Sequence, residues 1–236
     1  MISPASIDLA SRAAATNRLR SIYLQGPVGR LEAVLNEGAP DARCAAVVCH
    51  PHPSGGGTLH NKVVYHAMKA LNAPQLGLGL PVLRFNFRGT GLSEGAHDGK
   101  AEADDVLAAL DWLENEYKLP LIAVGFSFGA AMALSALNEL SPRRTSGVRA
   151  VAALGLPTHA EGRSYSYSFL KDLTMAKLFL SGDADQYARR AELEDIVEGA
   201  AEPKRLIFIP GADHFFGGQL EPMQQALAGW LREQVL

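Results

Sequence analysis

The chain reads as an α/β fold on a mostly parallel sheet, and three observations point there. Short apolar runs alternate regularly with segments of helical periodicity. The runs lack polar faces, as strands do when helices cover both sides of a sheet. Glycine- and proline-rich loops follow the carboxyl ends of several runs, where open α/β sheets gather their chemistry. No repeat, low-complexity linker or composition break divides the chain, so residues 21–236 read as one domain behind an N-terminal arm, residues 1–20.

In order, Ser21–Gln25 and Arg30–Asn36 flank the turn Gly26-Pro27-Val28-Gly29 and are expected to form a hairpin. Cys44–Cys49 is a compact central strand leading into His50-Pro51-His52-Pro53-Ser54-Gly55-Gly56-Gly57, which no regular element can contain. A helix is expected over Asn61–Leu71, with Val64, Met68 and Leu71 on one face. Pro81–Phe87 is the next strand, closing on Arg88-Gly89-Thr90-Gly91-Leu92-Ser93. From Ala103, the spacing of Val106, Leu107, Leu110 and Leu113 predicts a helix whose first turn holds Asp104 and Asp105, where the helix dipole favours acids. Strands follow at Leu121–Phe126, Val148–Leu154, Lys177–Leu180 and Arg205–Ile209. Helices are expected after Ser127, around Ala188–Val197, and at the C-terminus, where Leu220, Met223, Leu227, Trp230 and Leu231 form one stripe. Pro157 to Thr174 is irregular. There Tyr165, Tyr167 and Phe169 read equally as pocket lining or as surface and core packing.

Composition narrows the function classes. A net charge of −3 leaves no footprint for nucleic acid or an anionic membrane surface, and the one basic cluster, Arg143-Arg144, sits in a polar loop. No apolar run reaches the roughly 20 residues that span a bilayer, and residues 1–20 lack the apolar core of a secretion signal. Cys44 and Cys49 stand at odd spacing in one strand, so they point to opposite faces and should not pair. Free buried thiols suit a reducing compartment, and the cytoplasm is expected. Dimerisation through an edge strand or the last helix stays open.

The chemistry centres on Gly125-x-Ser127-x-Gly129 between an apolar strand and an apolar helix. A serine on so sharp a turn takes an uncommon backbone conformation, and its neighbours two residues away must lack side chains for the segments to pass. The next N–H, that of Phe128, then opens a helix and can meet developing negative charge. A serine hydroxyl needs a base, and the base needs a carboxylate to fix its tautomer. His214, in the loop after the last strand, is the candidate base. His159 also follows a strand, but no strand-end acid lies between it and Ser127. Asp185 and Asp183 compete for the acid in Ser181-Gly182-Asp183-Ala184-Asp185, and the pattern Gly-x-x-Asp after a strand favours Asp185. Asp183 and Asp213 read as turn residues. The order serine, acid, histidine fits the α/β-hydrolase arrangement. For a second oxyanion donor, His52 is the choice, because its proline neighbours have no N–H to give. A metal reading of His50, His52 and His60 fails for want of nearby acids. The glycines at 77, 79, 89 and 91 form no dinucleotide fingerprint, so no cofactor or metal is expected. Arg88 and Ser93 could touch a substrate, but the Arg88 guanidinium is read as tying down loop carbonyls.

The motifs His50-Pro51-His52-Pro53 with its triple glycine, Asn61-Lys62-Val63-Val64, Arg84-Phe85-Asn86-Phe87-Arg88-Gly89-Thr90-Gly91-Leu92-Ser93 and Gly125-Phe126-Ser127-Phe128-Gly129 resemble the small, lidless bacterial α/β-hydrolases, relatives of dienelactone hydrolases and serine esterases. The resemblance runs from about residue 30 onward. It implies an eight-stranded sheet with helices on both faces and a minimal lid. It also implies the triad Ser127, Asp185 and His214 and an oxyanion hole from His52 and Phe128. The segment Pro157–Thr174, where larger relatives insert a lid, is short, and a shallow, open site is expected to suit a small or chain-end ester or thioester as substrate. Pro53-Ser54 in place of a bulkier residue, and the arm before residue 20, depart from the pattern. Serine at 127 excludes the dehalogenase branch, which needs a carboxylate nucleophile. A peptidase of the same mechanism and a catalytically silent binding module are the competing readings.

Overall fold

β1 (Leu19–Gly26) and β2 (Gly29–Asn36) form the opening hairpin, closed by Pro27 and Val28. β1 thus starts inside the segment read as an arm. The computed structural model describes residues 18–73, 78–139, 147–159 and 165–234, so the rest of that arm, Arg143-Arg144 and Gly77 lie outside the described residues. β3 (Ala45–Cys49), β4 (Val82–Phe85), β5 (Leu121–Phe126), β6 (Val148–Leu154), β7 (Ala176–Gly182) and β8 (Lys204–Ile209) complete an eight-stranded sheet in the order β1-β2-β4-β3-β5-β6-β7-β8. Both pairings of β2 are antiparallel and every pairing from β4 to β8 is parallel.

α1 (Lys62–Asn72), α2 (Glu102–Tyr117), α3 (Phe128–Glu139), α4 (Arg190–Glu198) and α5 (Leu220–Gln234) cover the sheet. Its two faces are separate cores. Val47 and Cys49 face Val106, Leu110 and Leu134 of α2 and α3, while Ala46 and Val48 face Val64, Met68 and Leu227 of α1 and α5. Cys44 and Cys49 fall into different cores and both are free thiols, in keeping with their odd spacing. Local chemistry sets the helix ends. The Asn61 side chain accepts Val63 N–H at 2.9 Å and opens α1, and Lys118, at φ 55°, closes α2. α3 is apolar nearly all round because it is buried nearly all round.

Two expectations need correcting. The fourth strand stops at Phe85, not Phe87: Asn86 N–H still donates to Glu32 O of β2 at 2.8 Å, one step past the paired register, but Phe87 N–H turns to the His50 ring, donating to Nε2 at 3.0 Å. Arg88 does not tie down carbonyls. Its Nε and Nη2 donate to both oxygens of Asp105 at 2.7–3.0 Å, and Asp105 also takes Arg88 N–H at 2.9 Å. Both side chains are almost wholly buried. Asp105 therefore belongs to this pair more than to the helix dipole. Ser93 is structural, its hydroxyl bridging Glu32 N–H and Asn86 O.

Candidate active site

Ser127 sits where β5 turns into α3, at φ 55°. A Cβ on Gly125 would strike the carbonyl of Gly129, and one on Gly129 would come within 2.5 Å of the Cys49 and His50 carbonyls. The two glycines are thus the condition for strand and helix to pass, and the strained serine projects its hydroxyl from the sheet edge.

β7 and β8 bring the partners. Asp185 lies beyond the end of β7 and His214 in the loop after β8. His214 Nε2 is 2.9 Å from Ser127 Oγ, and His214 Nδ1 is 2.9 Å from each Asp185 oxygen. With the carboxylate on Nδ1, that nitrogen carries the proton and Nε2 presents its lone pair to the hydroxyl. Asp185 is further held by Tyr187 N–H at 2.8 Å, Ala188 N–H at 3.1 Å and the Ser181 hydroxyl at 3.0 Å. Burial works to raise its carboxyl, but His214, Tyr187 N–H and Ser181 outweigh burial and hold it below the ordinary carboxylate value. The other acids take turn roles: Asp183 accepts Gly211 N–H, and Asp213 accepts Phe215 and Gly217 N–H.

The His214 ring is caged. Phe126, Tyr187 and Phe215 pack on it at centroid distances of 5.1, 4.7 and 5.2 Å. From the remaining side comes Gly155, at φ 52°, where an added Cβ would lie 3.2 Å from Nδ1 and Cε1. The sequence reading passed over Gly155; its one signal is a glycine directly after the apolar run Val148–Leu154.

The loop after β3 supplies the opposite wall. Phe128 is the first residue of α3, so its N–H belongs to those with no acceptor within the helix. His52 caps a single 3-10 turn, Pro53–Gly55, and both residues line a crevice of ≈300 Å³ with Ser127, His214, Tyr187 and Phe215. Asn61 and Tyr165 also line it, whereas Tyr167 is buried and its hydroxyl donates to Pro157 O at 2.8 Å. Phe169 packs, partly buried, against the core on the α2 and α3 face of the sheet. Between β6 and β7 the described residues hold one short turn, Ser168–Lys171.

His50 is wholly buried beneath this loop, donating to Pro51 O at 2.6 Å and accepting Phe87 N–H at 3.0 Å. Burial pushes its imidazole down from 6.5 to about 4. The unfolded chain therefore binds this proton more readily, and stability should fall by roughly 3 kcal/mol as pH drops from about 6.5 to 4. Urea midpoints across that window should show the slope, and His50→Asn, which does not titrate, should flatten it. Among the described residues, no three His, Cys, Asp or Glu side chains come together to hold a metal, and no helix is long and apolar enough to cross a membrane.

Comparison with known proteins agrees with this architecture. The family described as an alpha/beta hydrolase domain matches residues 45–226. RP471 of Rickettsia prowazekii is 35% identical over 218 residues, 89% of this chain and 87% of that protein. XC6422 of Xanthomonas campestris, an α/β serine hydrolase without lid, is 30% identical with a TM-score of 0.75, over 92% of this chain and 94% of that one. Dienelactone hydrolase of Anabaena variabilis shares the fold at 21% identity and a TM-score of 0.76, over 94% and 100% of the two chains. With sequence and architecture in accord along most of its length, the chain belongs to the α/β-hydrolase domain family, beside small bacterial serine hydrolases without a lid.

Proposed function

We propose that this protein is a serine hydrolase that cleaves carboxylic esters or thioesters through an acyl-enzyme. The observation that carries the reading is the continuous hydrogen-bonded line from Ser127 Oγ through His214 to Asp185, each link 2.9 Å. Ser127 Oγ attacks the carbonyl carbon while its proton passes to His214 Nε2, and Asp185 stabilises the imidazolium. The oxyanion meets the N–H groups of Phe128 and His52, each donor contributing on the order of 3 kcal/mol in the transition state. Collapse of the tetrahedral intermediate expels the alcohol or thiol, which takes the proton from His214. Water then repeats the sequence on the acyl-enzyme and returns the proton to Ser127.

The size of the crevice supports small acyl groups over bulky ones. The two buried free thiols support a reducing, cytoplasmic setting. A fluorophosphonate probe should label the wild type and leave Ser127→Ala unlabelled; labelling of the variant would overturn the assignment. A panel of acetyl to long-chain p-nitrophenyl esters, thioesters and peptides then identifies the preferred bond, and preference for long-chain esters would reject the small-acyl reading.

A further inference from the structure

A second string of polar side chains reaches the same crevice through His52. Ser54 N–H donates to His52 Nδ1 at 3.1 Å, so the neutral His52 ring carries its proton on Nε2. That nitrogen lies 3.1 Å from His97 Nε2, which must accept. His97 then keeps its own proton on Nδ1 and donates it to Glu102 Oε1 at 2.5 Å. Each tautomer follows from the one before it.

The string ends in a firm anchor. Glu102 is wholly buried in the first turn of α2, and its Oε1 also accepts Asp98 N–H at 3.0 Å. Its Oε2 has no hydrogen-bond partner. A buried carboxylate satisfied on one oxygen only is unfavourable for folding and calls for an explanation. The backbone around His97 is equally confined, since a Cβ on Gly89 would stand 2.8 Å from His97 N. The imidazole also touches both residues assigned to the oxyanion. Its centroid is 4.5 Å from that of His52 and 5.6 Å from that of Phe128, and the latter two are 4.8 Å apart, all edge to face.

We infer that His97 is a positioning residue for the oxyanion hole, locking the loop that carries His52 to the buried Glu102 and fixing where the His52 N–H points. The inference rests on the serine-hydrolase reading above. A ring that merely fills space would need neither nitrogen. The string needs a donor and an acceptor on opposite edges of one side chain, and a glutamine amide offers both.

The test compares His97→Phe, which keeps a ring and loses both nitrogens, with His97→Gln, using p-nitrophenyl acetate. His97→Phe should lower kcat and kcat/KM together by about tenfold with KM unchanged, a part of the 10²–10³ that loss of a whole oxyanion donor costs. His97→Gln should stay within about threefold of the wild type, on the same scale. Circular dichroism checks folding, and His97→Leu provides the comparison if the phenylalanine variant does not fold. A folded His97→Phe with wild-type kcat, a change confined to KM, or a glutamine variant as slow as the phenylalanine one would overturn the inference. Ser127→Ala is assayed beside them. Hydrolysis by Ser127→Ala near the wild-type rate defeats the serine reading itself, whereas a Ser127→Ala reduced to the residual left by the oxyanion hole, beside a fully active His97→Phe, defeats only the role of His97.

Discussion

Asp185→Asn should lower kcat about ten-thousandfold with KM little changed, the scale seen when a triad carboxylate becomes an amide. The carboxylate holds the proton of His214 on Nδ1, with both of its oxygens at 2.9 Å. An amide at the same place presents an N–H₂ group toward Nδ1, and the ring answers by moving its proton to Nε2. That nitrogen then faces the Ser127 hydroxyl with a hydrogen instead of a lone pair and cannot take the serine's proton. The fold should tolerate the change, because an amide oxygen can still accept Tyr187 and Ala188 N–H. Steady-state kinetics on a short-chain ester read the effect, and a loss below tenfold would mean that His214 does not depend on Asp185. Because Asp185 titrates below its ordinary value in the folded protein, the stability it adds is present at neutral pH and lost as pH falls through that lowered value.

Asp105→Ala should destabilise the protein by about 3–5 kcal/mol, the cost of leaving a buried charge without its partner. Arg88 reaches no solvent to compensate, with its side chain 6% exposed and Asp105 at 0%. The damage should reach beyond one contact, because this pair fastens the loop after β4 to α2, and His97 and Glu102 lie in the same region. Urea unfolding should show a lower midpoint with an unchanged slope. The double replacement Arg88→Met with Asp105→Leu should recover most of the loss, since removing both charges abolishes the desolvation problem that removing one creates. A single variant as stable as the wild type would show that the guanidinium finds water or another acceptor.

What the sequence could disclose follows from how local each constraint is. Gly125 and Gly129 announce the strand-to-helix crossing because the geometry demands them at fixed offsets from Ser127. Asp185 and His214 could be nominated because α/β sheets place chemistry after strands, and the structure brings both to Ser127. The end of β4 was hidden. Phe87 continues the strand in composition, yet its N–H is claimed by the His50 ring, which approaches only through the fold. Arg88 was misread for the same reason, its acceptor lying 17 residues on in a helix. The contact between His52 and His97 joins two irregular loops 45 residues apart, and no periodicity or motif connects them.

On the proposed triad, the order of the elements along the chain sets when hydrolysis first becomes possible. The hydroxyl comes from the turn after β5, the carboxylate from beyond β7 and the imidazole from beyond β8, the outermost strand. A ribosome delivers them in that order, so a nascent chain released before β8 has docked carries a serine with nothing to accept its proton. Such a chain is folded in part and chemically mute. Hydrolysis should therefore return on refolding only with the last β7–β8 pairing, making ester turnover a reporter of the outermost edge of the sheet rather than of its centre.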